Sequence, residues 1–392
     1  MPTTPHGTSS RLYAVYALLF ADSGLSGAQV SSLFIIWSLT SLLFEVPSGA
    51  WADTVDRRLL LVISAGIYAL AFSAWMLVPT YPGFATGFVL WGLSSAIMSG
   101  TFEALLYDEL AARGSQAQYA RVVGWSHSAA MVANLVASVA AAPLYALGGY
   151  ALVGWTSVAI AGVQAVLGAT LPVTTHRDGA SVEAVAWATE TMAARYVVML
   201  RAGLREASRA VDVRRTVAIS AVLVGLTAYD EYFPFVAREN GVATAMVPWL
   251  VGLAVFGQAI GTALAGRTAG MSPATMAWVV VTGGSLISLG ALVSPVLGFA
   301  AIAMGYGLLN NAMIVSEARL QQVITGPARA TVTSVAGLAT EMVALTVYLV
   351  FAVAAGLASV STLVALLGIP IIRVAFAAGR WLPRAAPTES SA

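Results

Sequence analysis

Cysteine and lysine are both absent from this 392-residue chain, and charged residues of any kind make up only 9% of it. The missing thiols exclude disulfides, zinc–thiolate sites and cysteine nucleophiles. Histidine is scarce too. His6, His127 and His176 lie far apart and form no metal-ligand spacing. A soluble domain carries about 25% charged residues, so this chain has too little charge to cover a water-facing surface. Its net charge of +1, without a basic stripe of interleaved aromatics, leaves no nucleic-acid footprint. Phosphate-binding loops, Gly-x-Ser-x-Gly elbows and His-Glu-x-x-His pairs are missing as well. Neither an enzyme nor direct ATP drive is expected, and no cofactor or metal is.

What is present is apolar: 59% of the residues, arriving in blocks of roughly 20, the length that crosses a hydrocarbon core. Proline, glycine and charge divide the chain into about twelve spans. Their expected limits are 10–25, 28–49, 58–79, 82–110, 117–144, 149–172, 214–235, 243–266, 273–294, 296–322, 329–356 and 358–379. The first stretch, Leu12 to Ala21, lacks a cleavage pattern and reads as a retained, short helix. A hydrophilic stretch splits six spans from six. The expected organisation is therefore an N-terminal bundle at 1–174, a cytoplasmic linker at 175–213, and a C-terminal bundle with a short tail at 214–392. Within the linker, Arg195, Arg201, Arg205 and Arg209 alternate with apolar residues as in an amphipathic interfacial helix.

The arginines test this division. With both termini in the cytoplasm, eighteen of the 19 basic residues fall on the cytoplasmic side, and Arg238 alone falls outside. That is the positive-inside pattern of a multi-pass membrane protein. High alanine content, arginine without lysine and a cytoplasmic N-terminus fit a bacterial plasma membrane.

The turn after span two reads Gly49-Ala50-Trp51-Ala52-Asp53-Thr54-Val55-Asp56-Arg57-Arg58. It resembles the signature of the major facilitator superfamily, and Glu45-Val46-Pro47-Ser48-Gly49 resembles the lead-in of one branch. The end of span four, Ser99 to Asp108, and the turn Arg329 to Ser334 are similar to that branch as well. The resemblance implies an all-α membrane fold of two pseudo-symmetric six-helix bundles. It also implies an inner gate in which Gly49, Asp53, Arg57 and Arg58 latch onto the start of span eleven at Arg329. Thr54 stands where the family usually has a basic residue, and Asp56 where it usually has glycine. On local physics, Pro47 is expected to help end span two, Gly49 to permit close approach, and Asp53 to pair with Arg57 or cap a helix.

Ionisable groups inside spans are costly and point to function. The resemblance implies a central cavity lined by spans one, four, seven and ten, where the candidates are Asp22, Glu103, Asp230, Asn310 and Glu317. Glu341, near the middle of span eleven, has no charge close in sequence. Low dielectric disfavours the charged form of such a carboxylate, so it can take up and release a proton. Two readings stay open for these residues: proton-coupling or substrate contact, and structural bonding to a neighbouring helix. Loop ends for Asp22 and Asp230, an arginine partner for Glu45, and ion pairs of Asp108 and Glu109 with Arg113, Arg121 or Arg329 are the structural alternatives. Carboxylates together with aromatics would suit a lipophilic cation.

The end of span five, Ala141 to Gly149, faintly resembles the family's exporter motif. The sequence thus leads to a monomeric, proton-coupled exporter of a small organic molecule, lying in a lipid bilayer and working by alternating access. An uncoupled facilitator and a non-transporting membrane sensor are the competing readings.

Overall fold

A computed structural model of the protein describes residues 15–99, 101–171, 210–324 and 329–382. These residues are overwhelmingly helical. The expected linker, including its four arginines, lies outside them except at its last residues, as does the start of span one.

Nine helices among the described residues are long and apolar enough to cross a membrane. One of them, Tyr119–Ala169, is spans five and six together. Gly148 and Gly149 leave helical geometry there, Gly149 at a φ of 59°, a left-handed angle that glycine adopts without a Cβ clash. Span seven is broken into shorter helices, and span one is described only over Tyr16–Asp22. With these the described chain has twelve spans, the all-α membrane architecture read from the arginine alternation. Large apolar side chains such as Trp278, Val296 and Leu297 are left on the outside, a surface that suits hydrocarbon rather than water.

The helix starts follow local chemistry. Span two, Gly27–Thr54, opens on a capping box in which Ser26 and Gln29 satisfy each other's backbone N–H. It does not stop at Pro47. The helix runs through the proline to Thr54, as membrane-spanning helices tolerate proline where neighbouring groups satisfy the freed backbone carbonyl. Span three, Arg57–Leu77, is capped by Asp56, whose carboxylate accepts from the Leu59 N–H at 2.9 Å. The aspartate in the family's usual glycine position thus has a local task. Span four is two helices, Tyr81–Met98 and Thr101–Ala112, with Ser99 out of helical geometry between them.

Close approach of backbones holds the C-terminal bundle. A Cβ on Gly257 would strike the Ala303 carbonyl, and one on Gly261 the Gly307 carbonyl. Spans eight (Val247–Thr268) and ten (Pro295–Val323) therefore cross through small residues. Polar bonds fasten the same crossing: Gln258 donates to Asn310 at 3.2 Å, and Asn311 to the Gly261 carbonyl at 3.0 Å. In the N-terminal bundle, span one is sheathed in rings. Tyr16 packs on Phe34, Trp75, Phe88 and Trp91.

Span four packs on spans two and three, and span ten on spans seven, eight and nine, each within its own bundle. The bundles meet chiefly through span two against span eleven (Arg329–Ala354) and span five against span eight. Span two is about 42 Å long at 1.5 Å per residue. It separates an arginine-poor end, holding Asp22 and Arg238, from an arginine-rich end, holding Arg57 and Arg58.

Candidate functional site

Spans two and eleven run antiparallel along the seam between the bundles. Gly27 lies beside Ala355 at the arginine-poor end. Deeper in, Phe34 meets Tyr348 with ring centroids 5.5 Å apart. Near mid-span, Ser38 donates to Glu341 at 2.5 Å. Span seven closes on the same half. Tyr232 donates to Ser31 at 2.8 Å, and Tyr16 donates to Glu231. At the rim, Arg238 pairs with Asp22 at 2.5 Å while Tyr150 donates to the other oxygen of that carboxylate at 2.6 Å. Apart from the Tyr150 bond, which lies within the N-terminal bundle, these contacts tie one bundle to the other over the arginine-poor half of the protein.

Span seven is the irregular element at this seam. A helix at Val211–Gly225 gives way to a 3₁₀ segment, Leu226–Tyr232, and a short helix, Phe233–Glu239, completes the crossing. Seven residues of 3₁₀ geometry is long for a form that seldom exceeds four, and such stretches often mark hinges. Asp230 and Glu231 sit in it. Asp230 is no loop end: it lies partly buried inside the bundle, and the Tyr306 hydroxyl of span ten donates to it at 2.6 Å.

The other candidates are placed as follows. Asn310 is 5% exposed and its polar groups are bonded to Gln258 and the Tyr306 carbonyl, so it ties helices together in this state. Glu317 is partly buried, two residues before the buried Arg319, which donates to the Met271 carbonyl. Glu103 lies 4.0 Å from His127 of span five, each side chain nearly half exposed. That proximity joins two residues that sequence spacing left unrelated. Glu45 has Ser99 as its partner, at 3.3 Å, in place of the expected loop arginine.

At the arginine-rich end, Arg57 pairs with Asp108 and donates to the Ala52 and Ala104 carbonyls at 3.1 and 3.3 Å. It binds the second helix of span four to the turn between spans two and three inside one bundle, where Asp108 was expected to find Arg113, Arg121 or Arg329. Glu109 does pair with Arg113, at 3.0 Å. Arg58 donates to the Ala169 carbonyl at the end of span six. Gly49 lies in ordinary helix, and a Cβ there would meet nothing within 4 Å. No close approach uses it in this state. The side chains of Asp53 and Arg329 lie outside the described residues. Glu239, at the opposite end, accepts from the N–H groups of Val360 and Ser361, both at 2.8 Å, and so anchors the start of span twelve.

The family model of the Major Facilitator Superfamily matches residues 6–340. The chain belongs to that superfamily. No curated protein matches it. Among solved structures, it is similar to the nucleoside transporter NupG, at a TM-score of 0.72 and 11% identity over 94% of each chain. It is similar also to a bacterial homologue of the iron transporter ferroportin in an inward-facing state, at 0.69 and 15% identity, covering 96% of each chain. A third is a bacterial homologue of the human lysosomal transporter Spinster, inward-facing and unoccupied, at 0.67 and 14%, covering 97% of this chain and 95% of the other. At such identities the likeness is one of fold. Fold and family together make this a multi-pass membrane protein of a transporter superfamily.

Proposed function

We propose that the protein is a secondary active transporter that moves a small organic solute by alternating access, coupled to protons and working as an exporter. It acts as a monomer in a bacterial plasma membrane, with both termini in the cytoplasm. The contacts over the arginine-poor half then belong to the state closed toward the outside and open toward the cytoplasm.

One observation carries the coupling: Glu341 accepts its bond from Ser38, a residue of the opposite bundle. Rocking the bundles apart at this end removes that donor and changes the medium around the carboxylate. The coupling role proposed for Glu341 rests on that change of surroundings between the two states. A group whose proton affinity changes with conformation links proton binding to that conformation in both directions. Export as the direction is supported by the motif-like stretch Ala141 to Gly149, which forms the bend between spans five and six.

The test uses proteoliposomes with an internal pH dye, challenged with a panel of drug-like solutes. Solute-driven proton movement is expected in the wild type and lost in Glu341→Gln, with solute exchange retained. Solute equilibration without proton movement in the wild type would establish an uncoupled facilitator. No movement of any solute across a broad panel would favour the sensor reading.

A further inference from the structure

We propose that the unwound part of span seven is a recognition site for organic cations, with Asp230 as the counter-ion and tyrosines as its walls. The proposal deepens the transport reading by naming the substrate class and rests on it for the word substrate; binding of the cation does not depend on it.

Begin with charge. Ion pairs among the described residues hold Asp22, Asp108 and Glu109, and none of these involves Asp230. What surrounds Asp230 is hydrogen-bond donors: the Tyr306 hydroxyl and the backbone N–H groups of Asp230 and Glu231. These orient and solvate a carboxylate but do not cancel its charge. Inside a membrane bundle an uncompensated charge is expensive and marks an ion or substrate pathway. The chain has no lysine to supply compensation. A solute with a positive centre can supply it; an anion would be repelled, and a neutral solute would leave the charge as it is.

The second observation is independent of the acids. Tyr229 is 0% exposed, and its hydroxyl has no hydrogen-bond partner among the described residues. It lies within electrostatic reach of Asp230. A buried hydroxyl left unsatisfied costs about 1–3 kcal/mol, and a ligand bound against Asp230 stands where this oxygen can be used.

The third is the shape of the walls. In a 3₁₀ segment residues three apart eclipse one another, which aligns Tyr229 with Tyr232 beside the acidic pair. The Tyr306 ring lies 6.2 Å from Tyr229 and 5.7 Å from Phe233. Tyr348 of span eleven is within electrostatic reach of Asp230, Glu231 and Glu341 together. Aromatic faces attract cations by about 0.5–2 kcal/mol each and favour quaternary centres. A carboxylate held by Tyr306, with the Tyr229 ring packed on that tyrosine, therefore selects charge and apolar bulk in one molecule. Across the seam, Tyr16 donates to Glu231 and Phe34 meets Tyr232, so the same 3₁₀ segment touches the other bundle.

The experiment measures binding to the purified full-length protein in detergent, by calorimetry. The probe is tetraphenylphosphonium, a permanent cation that cannot donate a proton; triphenylphosphine oxide is its uncharged counterpart. Wild type should bind the cation at least about tenfold more tightly than the oxide. Asp230→Asn should abolish that preference, Asp230→Glu should keep it, and Glu109→Gln, at the arginine-rich end beside Arg113, should leave it unchanged. If Asp230→Asn fails to fold, the comparison of the two probes on the wild type and on Asp230→Glu still decides. Equal binding of cation and oxide, undiminished cation binding by Asp230→Asn, or no cation binding by folded wild type overturns the proposal. Cation binding at Asp230 without flux in proteoliposomes would sink the transport reading alone. Flux of uncharged solutes without cation binding would sink this one alone.

Discussion

Arg238 meets Asp22 at 2.5 Å, joining span seven of one bundle to span one of the other, and Tyr150 braces the same carboxylate from span six. The arginine that stands alone at its end of the protein is thus committed to a cross-bundle bond. Partly exposed pairs of this kind are worth on the order of 1 kcal/mol, enough to weight a conformational equilibrium without freezing it. Asp22→Asn or Arg238→Gln should favour opening at the arginine-poor end. The cysteine-free chain allows the readout: a Ser31→Cys reporter, at a position 1% exposed, should react with a thiol reagent roughly fivefold faster in either variant. Equal rates would show that the pair does not lock this end.

Gly49 has open space where a side chain would stand. Gly49→Leu should therefore leave the thermal stability of the present state unchanged. If the gating turn closes against span eleven in the opposite state, the leucine blocks that closure, and transport falls by about tenfold or more, as overpacking of a closed interface costs 1–3 kcal/mol. Normal flux in Gly49→Leu would remove this turn from the gate.

Gly261 is the opposite case, with the Gly307 carbonyl already in the way of a Cβ. Gly261→Leu should destabilise the protein by about 1–3 kcal/mol or more. Gly266→Leu is the control, since nothing lies within 4 Å of that position. A melting temperature lowered in both alike would argue against the close crossing of spans eight and ten.

Asp56 offers a cleaner stability prediction. Asp56→Ala should cost about 1 kcal/mol through loss of the cap on span three, and Asp56→Gly only a few tenths. Both should transport normally. A transport defect in the glycine variant would mean that the aspartate acts in the gate as well as in the cap.

The fold was legible in the sequence because membrane proteins write it in two coarse signals, apolar block length and arginine placement. Both concern single residues against a uniform medium, and neither needs knowledge of a partner. The break in span seven was not legible. Leu226–Tyr232 carries the same apolar content in 3₁₀ as in α geometry, so the pattern is silent on the difference. Pairing was legible only at short range: Glu109 with Arg113 is a helical i, i+4 contact. Asp108 with Arg57 and Glu341 with Ser38 lie 51 and 303 residues apart, and nothing in spacing announces them. For Asp230 the sequence left a loop end and a cavity role both open, because its span was expected to end soon after it; the helix Phe233–Glu239 carries the crossing onward past it.

The 3₁₀ segment has a mechanical meaning. Its residues advance 2.0 Å and turn 120° each, against 1.5 Å and 100° in an α-helix. Were the seven residues from Leu226 to Tyr232 to rewind, span seven would shorten by about 3.5 Å and its outer helix would swivel by about 140°. That screw motion would carry Arg238 away from Asp22 and turn Asp230 off Tyr306 in a single stroke. Gate and site would then be worked by one thread, cut into the backbone of a single helix.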